Sequence, residues 1–83
     1  ASAGSVFRNP PDDHAARLIE AAGLKGLRHG GAVVSSQHAN FIINEGTASA
    51  RDIETLIEMI RERVMDLLGV MLDPEVRFSG VDR

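Results

Sequence analysis

Residues 49–69 constrain the fold more than any other stretch, because they carry the pattern of one long amphipathic helix. Ser49 is a strong N-cap residue with Asp52 three positions on, as in a capping box, and Gly69 is a typical helix stop. Met59 and Met65 are interpreted as gap-filling core residues. The apolar residues recur at helical spacing: Ile53, Leu56, Ile57, Ile60, Val64, Leu67 and Leu68. Such a helix needs an opposing layer, which the rest of the chain must supply.

A shorter helix is predicted over residues 14–22, with Asp12 or Asp13 as its N-cap and Gly23 as its stop. Its apolar stripe consists of Ala15, Leu18, Ile19 and Ala22. His14 lies at the exposed start of this helix, and no second ligand is spaced to join it at a metal. We therefore expect no metal site.

Three short stretches have the character of β-strands: residues 32–34, 39–44 and 75–78. The last of these alternates charged and bulky residues, as a half-buried strand does. A chain of 83 residues forms one domain at most. The sequence therefore predicts an α+β fold over residues 1–83, with a small sheet packed against one short and one long helix.

The composition excludes several classes of function. The net charge of −3 gives no electrostatic reason for broad binding to nucleic acid or to a membrane surface. The chain has no cysteine, which excludes disulfides and thiolate metal sites and is compatible with a reducing cytoplasm. No apolar run approaches the roughly 20 residues that a membrane span needs. No signal peptide is visible in residues 1–3. Because the sequence starts without methionine, we interpret it as a piece of a longer protein.

Residues 4–11 are the first candidate for a functional segment. Phe7 is one of only three phenylalanines and is expected to anchor the segment in the core, which leaves Ser5, Arg8 and Asn9 to face something polar. Two prolines stiffen the end of the segment. The alternative interpretation is an edge strand that runs into a turn, because Ser and Asn are ordinary turn residues.

Two further stretches carry candidate ligand contacts. Residues 24–31 form a glycine-rich, basic loop in which Lys25 could contact a phosphate, although a solvated turn explains the same residues. His38, Asn40 and Asn44 would share one face of the strand predicted over residues 39–44. They could reach a ligand, or neighbouring backbone could satisfy them.

The ordered set of motifs resembles the C-terminal domain of the bacterial UDP-N-acetylenolpyruvoylglucosamine reductase family, MurB. The motifs are GSVFRNP at 4–10, AGLKG at 22–26, GGA at 30–32, HANFIIN at 38–44 and PEVR at 74–77. The resemblance covers essentially the whole chain. Each motif alone is moderately specific, but five in order at fitting distances are specific.

The resemblance implies an oxidoreductase of peptidoglycan precursor synthesis, and hence of cell wall formation, in the cytoplasm. Its substrate is the enolpyruvyl ether of UDP-N-acetylglucosamine, which the family reduces with NADPH through FAD. The FAD-binding domains lie upstream in the family and are absent from residues 1–83. We therefore expect this chain to be the substrate-binding part of the enzyme and to be inactive alone, since the hydride source is missing.

The resemblance also implies roles for particular residues. Ser5 is the implied proton donor, Glu75 the second active-site acid, and Arg77 a residue that orients Glu75. A serine is a weak acid, but a carbanion is a strong base, so proton transfer is feasible if the hydroxyl is held close.

Four residues are implied substrate contacts. Asn9 and Lys25 match positions that contact the diphosphate or a nearby sugar, and His38 matches a polar position that faces the ligand. Arg8 stands where lysine is common, and the two are not interchangeable at a phosphate. The alternative is a non-catalytic small-molecule or protein-interaction module with the same fold. The coding sequence upstream would distinguish the two.

Overall fold

The computed structural model describes residues 5–75, which form two helices and three short strands. In chain order the elements are α1 (Ala15–Ala21), β1 (Arg28–His29), β2 (Ala32–Val34), β3 (Ile42–Asn44) and α2 (Ala50–Leu68). The antiparallel sheet has the order β1-β2-β3, and α2 packs against β1, β2 and α1. This architecture confirms the predicted α+β fold.

The glycine pair Gly30-Gly31 joins β1 to β2 as a two-residue hairpin turn. Gly30 has a φ of 57°, the left-handed region that glycine adopts without steric cost. Arg28 then pairs with Val33. The prediction of a loop throughout residues 24–31 is therefore wrong at β1, because the glycines make a tight turn between strands instead of a long flexible connection.

The hairpin turn packs directly against the start of α2. A Cβ atom on Gly31 would lie 2.5 Å from the Ala48 nitrogen, so only glycine fits there without a shift. Ser49 and Asp52 form the predicted capping box, with Oγ to N and N to Oδ2 distances of 3.0 and 3.1 Å. The Ser49 and Gly31 backbone N–H groups lower the pKa of Asp52. The capping box therefore also holds the turn against the helix.

Helix α1 ends as predicted but starts differently. The Gly23 and Leu24 N–H groups donate to the Glu20 and Ile19 carbonyls, which is a Schellman motif with Gly23 at a φ of 75°. At the other end, neither Asp12 nor Asp13 is the N-cap. That position is His14, which makes no cap bond with its side chain. The prediction failed because a side chain from outside the helix, that of Asn9, accepts a hydrogen bond from the first turn.

The core lies where α2 meets the sheet and α1. The long helix buries Leu56, Ile57, Ile60 and Val64 as predicted, and Ile53 and Met59 pack against this core while partly exposed. The predicted stripe is wrong at its C-terminal end, since Leu67 and Leu68 are 62% and 38% exposed. Met65, predicted as core, is 36% exposed. The helix extends beyond the layer that covers its apolar face. No helix within residues 5–75 combines the length and apolar character needed to cross a bilayer.

Strand β3 is shorter than the strand predicted over residues 39–44. Ala39 and Asn40 lie in a turn, closed by a 3.0 Å bond from the Phe41 N–H to the His38 carbonyl. His38, Asn40 and Asn44 therefore do not share a strand face. Asn44 instead bonds the backbone of the turn that follows β3, at Gly46 and Ala48.

Candidate active site

Residues 5–8, called here the N-terminal segment, lie outside the sheet between two other parts of the chain. Val6 and Phe7 are 5% and 1% exposed, whereas Ser5 and Arg8 face solvent. Phe7 is the anchor that the sequence predicted. Two buried side chains thus fix a backbone that presents a hydroxyl before them and a guanidinium after them.

Residues 73–75 pair with one side of this segment. The Arg8 N–H donates to the Asp73 carbonyl at 2.9 Å, and the Glu75 N–H donates to the Val6 carbonyl at 2.6 Å. Phe7 and Pro74 are therefore opposite each other without hydrogen bonds between them, so the missing N–H of proline costs nothing. Of the strand predicted over 75–78, only Glu75 lies within the described residues, and Arg77 lies outside them.

This pairing brings the two predicted catalytic residues to neighbouring positions. Glu75 is directly opposite Val6, and Ser5 precedes Val6 in the chain. Both Ser5 and Glu75 are exposed. One backbone hydrogen bond, from Glu75 to the residue after Ser5, therefore brings the two positions close together. In the sequence they are 70 positions apart.

Asn40 holds the other side of the N-terminal segment. Its backbone carbonyl accepts from the Val6 N–H at 2.9 Å. Its side chain, in a residue that is 8% exposed, accepts from the Phe7 N–H at 3.0 Å and donates to the Phe7 carbonyl at 2.9 Å. Of the two interpretations for Asn40, satisfaction by backbone is the correct one. Sequence reasoning missed which backbone it serves; an Asn between the apolar residues Ala39 and Phe41 was the available signal.

His38 lies two residues before Asn40, in the turn that leads to Asn40. The buried Ser35 hydroxyl accepts from the Gln37 and His38 N–H groups, both at 3.1 Å, and so fixes the turn. The His38 side chain is exposed, and its ring centroid lies 5.7 Å from that of Phe41. The turn thus exposes the imidazole two residues before Asn40, the residue that hydrogen-bonds Val6 and Phe7.

Lys25 lies in the turn between α1 and β1. The next residue, Gly26, donates its N–H to the Val34 carbonyl at 2.9 Å, which ties this turn to the end of β2. The Lys25 ammonium lies 3.4 Å from a Glu20 carboxylate oxygen. Because Val34 directly precedes Ser35, the Lys25 turn adjoins the turn that carries His38.

Arg8 and Asn9 already have protein partners. The Arg8 guanidinium pairs with Asp73 at 2.7 Å, in an exposed ion pair of a kind that contributes about 0–1 kcal/mol. The Asn9 Oδ1 accepts from the Ala15 N–H at 2.9 Å and so bonds the first turn of α1. Asn9 is the side chain that replaces the predicted aspartate cap.

Backbone hydrogen bonds therefore link the four segments that carry Ser5, Glu75, His38 and Lys25. Within residues 5–75, no group of three or more His, Asp or Glu side chains could hold a metal. A cleft of about 270 Å³ on the α2 surface includes three carboxylates among its six lining residues (Glu58, Glu62 and Asp66), so this cleft is a poor site for the diphosphate of FAD.

Comparisons with known proteins agree with this architecture. Relatives named UDP-N-acetylenolpyruvoylglucosamine reductase in Alkalilimnicola ehrlichii and Methylococcus capsulatus are each 67% identical over 79 residues. These alignments cover 95% of this chain but 26% of each relative, so the chain spans about a quarter of their length.

A solved structure gives the same result. The crystal structure of UDP-N-acetylenolpyruvylglucosamine reductase (MurB) from Thermus caldophilus matches with a TM-score of 0.72 and 48% identity, over 90% of this chain and 27% of that one. The family model for the C-terminal domain of UDP-N-acetylenolpyruvoylglucosamine reductase matches residues 1–79. The chain therefore belongs to the family of MurB C-terminal domains.

Proposed function

We propose that this chain is the substrate-binding part of a cytoplasmic enzyme that reduces the enolpyruvyl ether of UDP-N-acetylglucosamine to the lactyl ether. The observation that carries the proposal is the hydrogen bond from the Glu75 N–H to the carbonyl of Val6, which brings the segments with Ser5 and Glu75 together. It occurs in a chain that is 67% identical to relatives named as reductases. FAD, reduced by NADPH and held by domains upstream of residues 1–83, supplies the hydride. The alignments support that division, because the chain covers 26% of each relative and the rest of each relative lies outside the match.

In this proposal the chain supplies the proton. Hydride addition to the methylene carbon leaves negative charge on the adjacent carbon, next to a carboxylate. The Ser5 hydroxyl donates its proton to that carbon, and the resulting alkoxide takes a proton from solvent, so the overall reaction takes up one hydride and one proton. Glu75, at the position opposite Val6, assists as a second acid. The buried neighbours Val6 and Phe7 keep the hydroxyl in place while it transfers the proton.

The remaining candidate residues bind the substrate. Lys25, in the turn beside His38, contacts the diphosphate with its ammonium, which requires it to leave Glu20. His38 contacts the substrate from its exposed turn. Asn9 offers its amide N–H groups, since its oxygen bonds Ala15. Arg8 reaches a phosphate only by exchanging Asp73 for it, an exchange that a weak exposed pair permits.

Ser5→Ala in the full-length protein tests the proposal. We expect flavin binding and flavin reduction by NADPH to be unchanged, because neither needs the hydroxyl. Reoxidation of the reduced flavin by substrate should slow by roughly 10²- to 10⁴-fold, the usual contribution of a general acid. Stopped-flow absorbance of the flavin measures both half-reactions separately.

Ser36→Ala is the matched control, since Ser36 is an exposed serine in the turn before His38. It should leave both half-reactions unchanged. The isolated 83-residue chain with reduced FAD and substrate gives the background rate, which we expect to be zero. Full reoxidation activity in Ser5→Ala would show that Ser5 is not the proton donor.

A further inference from the structure

We propose that Asn40 is a positioning residue that holds the Ser5 hydroxyl in its reactive orientation. The inference rests on the proposed role of Ser5 and adds a residue to it. Asn40 makes three hydrogen bonds to Val6 and Phe7, the two residues that follow Ser5. Its side chain hydrogen-bonds both the N–H and the C=O of Phe7, as a neighbouring strand would. These three hydrogen bonds are called here the clamp.

The geometry of this clamp goes beyond what packing needs. Phe7 is already anchored by its ring, which is 1% exposed. A buried ring fixes where the residue lies but leaves rotation of its peptide groups open. The two hydrogen bonds from the Asn40 side-chain amide, at 3.0 and 2.9 Å, fix those peptide planes as well. Because Glu75 bonds the Val6 carbonyl from the other side, the backbone next to Ser5 is held from two directions.

Such a clamp matters for proton transfer, because the rate depends on the position of the donor. A displacement of about 1 Å caused by a remote substitution can cost about 100-fold in rate. Asn40→Asp retains the acceptor for the Phe7 N–H but replaces the donor to the Phe7 carbonyl with a carboxylate oxygen. The bond from Val6 to the Asn40 backbone carbonyl is independent of the side chain and is retained.

The chain offers a matched control in Asn44. Like the Asn40 side chain, its side chain both accepts from and donates to backbone: it accepts from the Gly46 and Ala48 N–H groups and donates to the Ala48 carbonyl. Asn44→Asp therefore makes the same chemical change in a turn that forms no hydrogen bond with residues 5–8. A general loss of stability from an Asn-to-Asp change would appear in both variants.

The experiment compares Asn40→Asp, Asn44→Asp, Ser5→Ala and the double variant Ser5→Ala/Asn40→Asp in the full-length protein. At saturating substrate, Asn40→Asp should slow flavin reoxidation by about 10- to 100-fold and leave flavin reduction by NADPH unchanged. Amide hydrogen exchange over residues 5–8 should be faster. In the double variant, Asn40→Asp should add no further slowing to Ser5→Ala, because it acts through that hydroxyl.

The outcomes separate the two proposals. Full activity of Ser5→Ala would overturn the proposed role of Ser5. Loss of activity in Ser5→Ala with normal reoxidation in Asn40→Asp would overturn only the positioning role. Equal slowing of both half-reactions, the same effect in Asn44→Asp, or an undiminished Asn40→Asp effect in the Ser5→Ala background would also overturn it. Should Asn40→Asp not fold, Asn40→Ser, which shortens the side chain and keeps one hydroxyl, is held to the same outcomes.

Discussion

Truncation of Phe7 is the sharpest test of how the N-terminal segment is anchored. Phe7 is 1% exposed and is among the largest fully buried side chains in the core, so Phe7→Ala removes nearly all of a buried ring. Core Phe-to-Ala changes cost about 3–5 kcal/mol, because lost transfer free energy adds to the cost of the cavity. A domain of this length has only about 4–12 kcal/mol of stability in total, so the change removes a large share of it.

The control is Phe41→Ala, which deletes the same atoms from a half-buried position beside the exposed His38. It should cost less, because Phe41 buries a smaller share of its apolar area than Phe7 does. Urea unfolding of the 83-residue chain, followed by circular dichroism, measures both free energies. In thermal unfolding, the Phe7→Ala midpoint should fall by at least about 12 °C. Equal losses for the two variants, or a loss below about 1 kcal/mol for Phe7→Ala, would refute the anchoring argument.

Two further predictions concern the hairpin turn and the first turn of α1. Gly31→Ala should destabilise by about 1–3 kcal/mol, because its Cβ would lie 2.5 Å from the Ala48 nitrogen. Gly23→Ala, with open space around its Cβ but a φ of 75°, should cost only the backbone strain of about 1–2 kcal/mol. Urea unfolding compares the stabilities of the two variants. An unchanged stability in Gly31→Ala would contradict the close approach of Gly31 to Ala48. The Arg17 side-chain hydrogen bonds lower the pKa of Asp13 from 3.8 to about 2. The ionised Asp13 carboxylate therefore stabilises the folded state above pH 3.8, and this stabilisation is lost as the pH falls towards 2. An NMR titration should find this pKa shifted back towards 3.8 in Arg17→Gln, and an unchanged value would contradict the cause.

The elements bounded by local signals were predictable from the sequence. The start of α2 depends on Ser49 and Asp52, three residues apart, and its end depends on Gly69 at a φ of 72°. The Gly23 stop of α1 is equally local. Periodicity also identified the buried face of α2. It could not show that the covering layer ends before Leu67, because that limit depends on the length of the sheet and of α1.

Two of the errors share a physical cause, which is an Asn side chain that hydrogen-bonds backbone outside its own local segment. The strand predicted over 39–44 lost its first half because Asn40 uses its side chain on Phe7, 33 positions earlier. The start of α1 was misassigned because Asn9, six positions before Ala15, reaches over the intervening prolines to bond it. Propensity indicates that an Asn favours a turn or a cap, but not which N–H it will meet.

The candidate site depends on this same kind of contact, which explains why resemblance found residues that periodicity could not bring together. Ser5 and Glu75 approach only because residues 6–8 pair with 73–75, and that pairing stands outside the sheet and its local hairpins. A segment outside the sheet has no ladder to set its orientation, so its backbone groups must find separate partners. Here they find Asn40 on one side and Asp73 and Glu75 on the other. The position of the Ser5 hydroxyl therefore depends on two distant parts of the chain, and a change in either of them should alter the activity of the proposed proton donor.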